Sequence, residues 1–211
     1  LVCDASQRAI VKLSSAGEQL GKLATRSDGY FLRAPNNLVV DSDGGVYFSD
    51  PGYARIRNPI GRIHYVARDG SVNVVAQELA FPEGLGLTPD GSRLLVVESQ
   101  NQQVLQFELL SPGRVGPKSI FAELPKNTGG EADGFANGLT VRPDGRVFVA
   151  HGDRQHVQMF SPDGRLLKSI EIGASVNSVA FRSDDFSRIF ATGGTRSGNG
   201  SGQLFEVKIA E

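Results

Sequence analysis

A single cysteine, Cys3, rules out an intrachain disulfide, so no disulfide framework supports this fold and the redox compartment stays open. Basic charge is not in surplus either. Lys and Arg number 22 against 23 Asp and Glu, a net charge of -1, which sets nucleic acid aside as a main partner. No apolar run approaches the ~18 residues of a membrane span, so the expectation is a soluble globular chain with no membrane partner. Windows free of glycine and proline are scarce. The longest, residues 92–111, ends with Leu105, Phe107 and Leu109 alternating with Gln106 and Glu108, the period of a strand, and no segment reads as a convincing helix. Several catalytic signatures are missing too. There is no Gly-x-Ser-x-Gly elbow, no zinc pair among His64, His151 and His156, and no Gly-Lys-Ser/Thr near the glycines of residues 193–202. That glycine-rich stretch reads as a loop overhanging the site, and Asn199-Gly-Ser201 within it as a glycosylation sequon. Asp41-Ser-Asp43-Gly44 hints at a calcium loop but has Val46 where the sixth-position glycine belongs.

What is abundant is turns. Gly (26) and Pro (10) make 36 of 211 residues, about 17% against an average of roughly 12%. Four segments share one frame: Pro35-Asn-Asn-Leu-Val-Val-Asp-Ser-Asp43-Gly44, Pro82-Glu-Gly-Leu-Gly-Leu-Thr-Pro-Asp90-Gly91, Ala136-Asn-Gly-Leu-Thr-Val-Arg-Pro-Asp144-Gly145 and Val176-Asn-Ser-Val-Ala-Phe-Arg-Ser-Asp184-Asp185. Their starts are 47, 54 and 40 residues apart. Each is an apolar strand, a tight turn and a second apolar strand. A second turn series at Gly17, Gly70, Gly113 and Gly164 separates two more strands per unit. Four-stranded meanders at this period define an all-β fold, a β-propeller, in which blades bury their faces against one another around a channel. Eighteen strands are expected, three at each end and twelve in three complete units. Leu1-Val-Cys-Asp4 matches Val46-Tyr-Phe-Ser-Asp50, so the chain is expected to begin inside a blade, its N-terminus missing, and to form residues 1–211 of a single, partial ring of about five blades.

Asn36, Glu83, Asn137 and Asn177 each precede their turn aspartate, Asp43, Asp90, Asp144 and Asp184, by seven residues. If the first strand of each unit is innermost, equal offset puts all four at one level of the channel mouth. Amide and carboxylate oxygens there suit a hard divalent cation. The ends of the second strands add Asp4, Asp50, Glu98 and His151 as an outer ring.

The frames, that of residues 35–50 above all, resemble the senescence marker protein, gluconolactonase and luciferin-regenerating enzyme family across essentially the whole chain. The resemblance implies a six-bladed propeller whose first blade lies outside this chain. It also implies one divalent metal, Ca²⁺ first, with Mg²⁺, Mn²⁺ or Zn²⁺ as alternatives. The family's ligands are a first-blade Glu, an Asn and an Asp, with a further Asn on metal or substrate. Asn36 matches that further Asn, Glu83 stands at the Asn position and Asn137 at the Asp position, so the count of one carboxylate and two amides is preserved with its charge moved. Arg33, three residues before Asn36, matches an arginine that contacts substrate in some members. The expected function is metal-dependent hydrolysis of a small lactone. Asn36, Glu83 and Asn137 are the metal ligands, Glu83 and Asn137 the catalytic pair, and Arg33, Asn36 and His151 the substrate contacts. The alternatives are a non-catalytic propeller that binds a ligand or partner through an altered metal site, and a structural propeller without metal.

Overall fold

In a computed structural model, which describes residues 1–125, 135–182, 185–194 and 202–209, the chain forms five antiparallel meanders. Blade I contains β1 (Val2–Asp4), β2 (Ala9–Leu13) and β3 (Gln19–Ala24). A small hairpin, β4 (Arg26–Ser27) and β5 (Tyr30–Phe31), leads to blade II: β6 (Leu38–Val40), β7 (Val46–Asp50), β8 (Gly61–Val66) and β9 (Val72–Leu79). Blade III has β10 (Pro82–Leu87), β11 (Arg93–Glu98), β12 (Gln103–Ser111) and β13 (Arg114–Glu123). Blade IV has β14 (Ala136–Val141), β15 (Val147–His151), β16 (His156–Phe160) and β17 (Leu166–Glu171), and blade V has β18 (Ser175–Arg182), β19 (Asp185–Gly194) and β20 (Gly202–Lys208). Among the described residues the blades supply the eighteen expected strands, and the β4–β5 hairpin is additional. Among the described residues the only helical turns are Ser99–Asn101 and Gly152–Arg154. The glycine-rich loop (195–201), its sequon and Asp184 lie outside the described residues.

Local chemistry closes the hairpins. Asp41, Asp69, Asp90, Asp144 and Asp185 each accept, through a carboxylate oxygen, the N–H two residues on, an Asx-turn that presets the reversal. Gly44, Gly91 and Gly145 then take φ of 82°, 68° and 84°, a region closed to most side chains. Hydrogen bonding from Thr88 and Ser92 holds the Asp90 carboxyl at about 2.

The second strands show why the blades stack. Tyr47 of β7 packs toward blade III, while Val46 and Phe48 pack toward blade I. Leu94 and Val96 of β11 face blade II, whereas Leu95 and Val97 face blade IV. Phe148 and Ala150 of β15 meet Val176, Val179 and Ile189 of blade V. A strand buried on both faces carries apolar residues at nearly every position, as Val46, Tyr47 and Phe48 do. Four such seams join five blades, and burial of each large apolar side chain contributes roughly 1.5–3 kcal/mol.

Candidate functional site

The inner strands β6, β10, β14 and β18 line an open trough of about 480 Å³, walled by residues such as Leu38, Leu85, Leu139 and Val179. At one end each inner strand loses register with its partner. From Pro82 to Leu85 the inner strand advances three residues while its partner moves two, from Glu98 to Val96. Ala136 to Leu139 against His151 to Val149 repeats this. Blade V does the same between Val176 and Ser178. One extra residue forms a β-bulge, which re-aims side chains out of the ladder. The bulges contain Glu83, Asn137 and Asn177, and in blade II Asn36 and Asn37 bracket Ser49 in the same manner.

Close backbone approach brings these positions side by side. A Cβ on Gly84 would stand 2.4 Å from the Asn137 carbonyl oxygen, and one on Gly138 would stand 3.1 Å from that of Asn177. Only hydrogen fits at Gly84 without displacing backbone. Ser49 Oγ donates to the Glu83 carbonyl at 2.7 Å and so ties blade II to blade III. Asn137 Nδ2 donates to Asn177 Oδ1 at 3.4 Å and to the Val176 carbonyl at 3.5 Å, which turns its own amide oxygen away from those partners. Glu83 is 8% exposed and its Oε2 has no hydrogen-bond partner. Burial pushes its carboxyl up to about 8. A buried carboxyl with an unpaired oxygen is a hard donor of the kind a divalent cation takes.

Three of the four outer-ring residues are buried. Asp50, Glu98 and His151 are 3%, 2% and 1% exposed. Asp50 accepts the backbone N–H groups of Arg33 and Ala34 at 2.8 and 2.6 Å. Glu98 accepts that of Ala80 at 2.7 Å and the amides of Asn101 and Gln103. These acids hold the segments that lead into the inner strands, and the crossing segments cover them. Asp4 accepts from the Gln7 backbone and side chain. His151 Nδ1 has no partner, and burial pushes the imidazole down to about 4, so it is neutral at pH 7. Exposed Arg33 donates to the Ile60 carbonyl at 2.9 Å and lines a separate cavity between the β4–β5 hairpin and blade II. Sequence reasoning had not singled out Ser49 or Gly84, and the signal for both was weak, a serine and a glycine inside strands.

The bladed all-β architecture defines a class of protein, the β-propeller, and comparison supplies the family. Residues 1–195 match the SMP-30/Gluconolactonase/LRE-like region, and the chain belongs to that family. It is 25% identical over 177 residues to a gluconolactonase of Zymomonas mobilis (79% of this chain, 49% of that protein). It is 24% identical over 177 residues to the diisopropyl-fluorophosphatase of Loligo vulgaris (72% and 55%), and 27% identical over 173 to a pentonolactonase of Haloferax volcanii (81% and 56%). The chain thus spans about half the length of these relatives. A solved gluconolactonase from Xanthomonas campestris superposes with a TM-score of 0.78 at 25% identity, over 91% of this chain and 64% of that one. The likeness to gluconolactonase and pentonolactonase supports a lactonase-family function.

Proposed function

We propose that the protein hydrolyses a small lactone with the help of one divalent metal, Ca²⁺ in the first place, held at the channel mouth by Glu83, Asn137 and Asn36. The observation that carries this reading is the buried, unpartnered Oε2 of Glu83, on an inner strand whose next residue, Gly84, lies against the Asn137 backbone. Hard oxygen donors favour Ca²⁺, Mg²⁺ or Mn²⁺ over Zn²⁺. When bound, the metal would supply Lewis acidity toward the lactone carbonyl and an acidified water.

The rest falls to the chain's own residues. Glu83 is the one acid among the four ring residues, so it balances cation charge and is the group best placed to accept a proton. Burial raises this carboxyl to about 8 in the metal-free chain, and a bound cation would favour its ionised form. Asn177 steadies the Asn137 amide, and Ser49 fixes the backbone beneath Glu83. The trough offers a substrate ring a mostly polar surface, with Asn37, Thr140 and Ser178 among its lining residues. Asn36, exposed at the mouth, is the nearest match to a substrate contact, while the buried His151 acts from behind as a neutral imidazole.

A second reading, a propeller that binds without turnover, draws support from the exchanged residue types at positions 83 and 137. Hydrolysis of gluconolactone and of pentonolactones by full-length protein, before and after EDTA and again with Ca²⁺ restored, separates the two. The lactonase reading expects turnover that EDTA abolishes and Ca²⁺ restores. Saturable Ca²⁺ binding without turnover of any lactone would favour the binder, and a diisopropyl fluorophosphate assay in parallel checks whether another ester class is the substrate.

A further inference from the structure

The cavity between the β4–β5 hairpin and blade II is a second polar site that the proposed hydrolysis does not use. It measures about 240 Å³ and lies under the β4–β5 hairpin, and it shares no lining residue with the trough. Ser27 and His64 are 3% and 2% exposed. Ser27 Oγ and both ring nitrogens of His64 have no hydrogen-bond partner. The His64 ring stacks on Phe48 with centroids 5.0 Å apart, and its Nε2 is 3.7 Å from Asp50 Oδ2, too far for a hydrogen bond. Polar atoms this deeply buried are costly to leave unpaired, so the cavity suits an occupant that pairs them.

Charge selects the occupant. Asp50 lines the same cavity, its two oxygens already taking the backbone N–H groups of Arg33 and Ala34, and it would repel a second anion placed beside it. Arg33, exposed, and Arg62, half-buried, stand farther out. Arg33 spends one donor on the Ile60 carbonyl, and the Arg62 guanidinium makes no hydrogen bond or ion pair among the described residues. A guanidinium matches a carboxylate fork to fork. Imidazole ring nitrogens and a serine hydroxyl are both hydrogen-bonding partners of a hydroxyl group. We propose that this cavity binds a small hydroxycarboxylate, with its carboxylate at Arg33 and Arg62 and its hydroxyl groups at Ser27 and His64.

The proposal stands apart from the lactonase reading and is tested apart from it. D-Glycerate, and glycerol as its uncharged counterpart, are titrated by calorimetry into full-length protein in EDTA. The variants are Arg62→Gln, Ser27→Ala and, as the channel control, Glu83→Gln. Saturable glycerate binding is expected, with glycerol at least about tenfold weaker and Arg62→Gln costing about tenfold or more. Ser27→Ala should weaken glycerate to a smaller degree, while Glu83→Gln leaves it unchanged. Arg62 is half-buried on an otherwise intact strand, so an unchanged melting temperature shows that its variant folds. No saturable binding up to about 10 mM, equal affinity for glycerol, or binding lost in Glu83→Gln but kept in Arg62→Gln would overturn the assignment.

Discussion

The Glu98 carboxylate takes the backbone N–H of Ala80 at 2.7 Å, three residues before Glu83. Asp50 takes that of Arg33, three residues before Asn36, at 2.8 Å. The same latch in two blades fixes how the chain enters the channel, so the outer acids act on the site through the backbone.

Cutting the latch should therefore move the ring. Glu98→Ala removes the acceptor of three donors in a site that is 2% exposed, and a loss of about 2–4 kcal/mol is expected in chemical denaturation. Glu98→Gln, which keeps one acceptor oxygen, should lose less. Divalent metal affinity should fall in the same order.

Gly84 sets the spacing of blades III and IV. Gly84→Ala would force its Cβ against the Asn137 carbonyl, so a destabilisation of about 1–3 kcal/mol is expected. Gly91→Ala, whose added Cβ meets nothing within 4 Å but sits at φ of 68°, serves as a control for backbone strain alone. Equal metal affinity in Gly84→Ala and wild type would detach the glycine from the site.

Two buried groups give opposite pH dependences. Glu83 titrates near 8 in the folded chain against 4.5 in the unfolded one, so the folded state keeps a proton the unfolded state has lost. Its contribution is fully present below about 4.5 and is lost as pH rises through about 8. His151, near 4 against 6.5, contributes fully above 6.5 and loses that contribution as pH falls through about 4. In EDTA, melting temperature should decline from pH 6.5 to 8, Glu83→Gln should flatten that decline, and Ca²⁺ should oppose it.

Much of this architecture is legible in the sequence because its causes are local. The Asp-Gly turns and the apolar run at Val46–Asp50 write strand ends and two-sided burial directly into composition. The β4–β5 hairpin escaped because its strands are two residues long, too short for alternation, although Asp28 and Gly29 at φ of 49° and 81° carry a hairpin turn signal. The turns joining second and third strands also escaped: Arg8, Gln102 and Gln155 take φ of 50°, 53° and 58° without a glycine to mark them. At the site, equal spacing identified the residues of the inner ring. That Asp50 and Glu98 are covered follows from segments crossing above them, a tertiary fact with no local trace.

The account rests on Glu83 as the carboxylate that holds a cation, and Ca²⁺ titration calorimetry on full-length wild type and Glu83→Gln at one pH tests that most directly. An amide keeps the shape of the side chain but not its charge. Binding of one Ca²⁺ per chain is expected in wild type. Glu83→Gln should weaken it about tenfold or more, and Glu83→Asn with Asn137→Asp should restore it in part. Equal Ca²⁺ affinity in wild type and Glu83→Gln would contradict the account and remove Glu83 from the site.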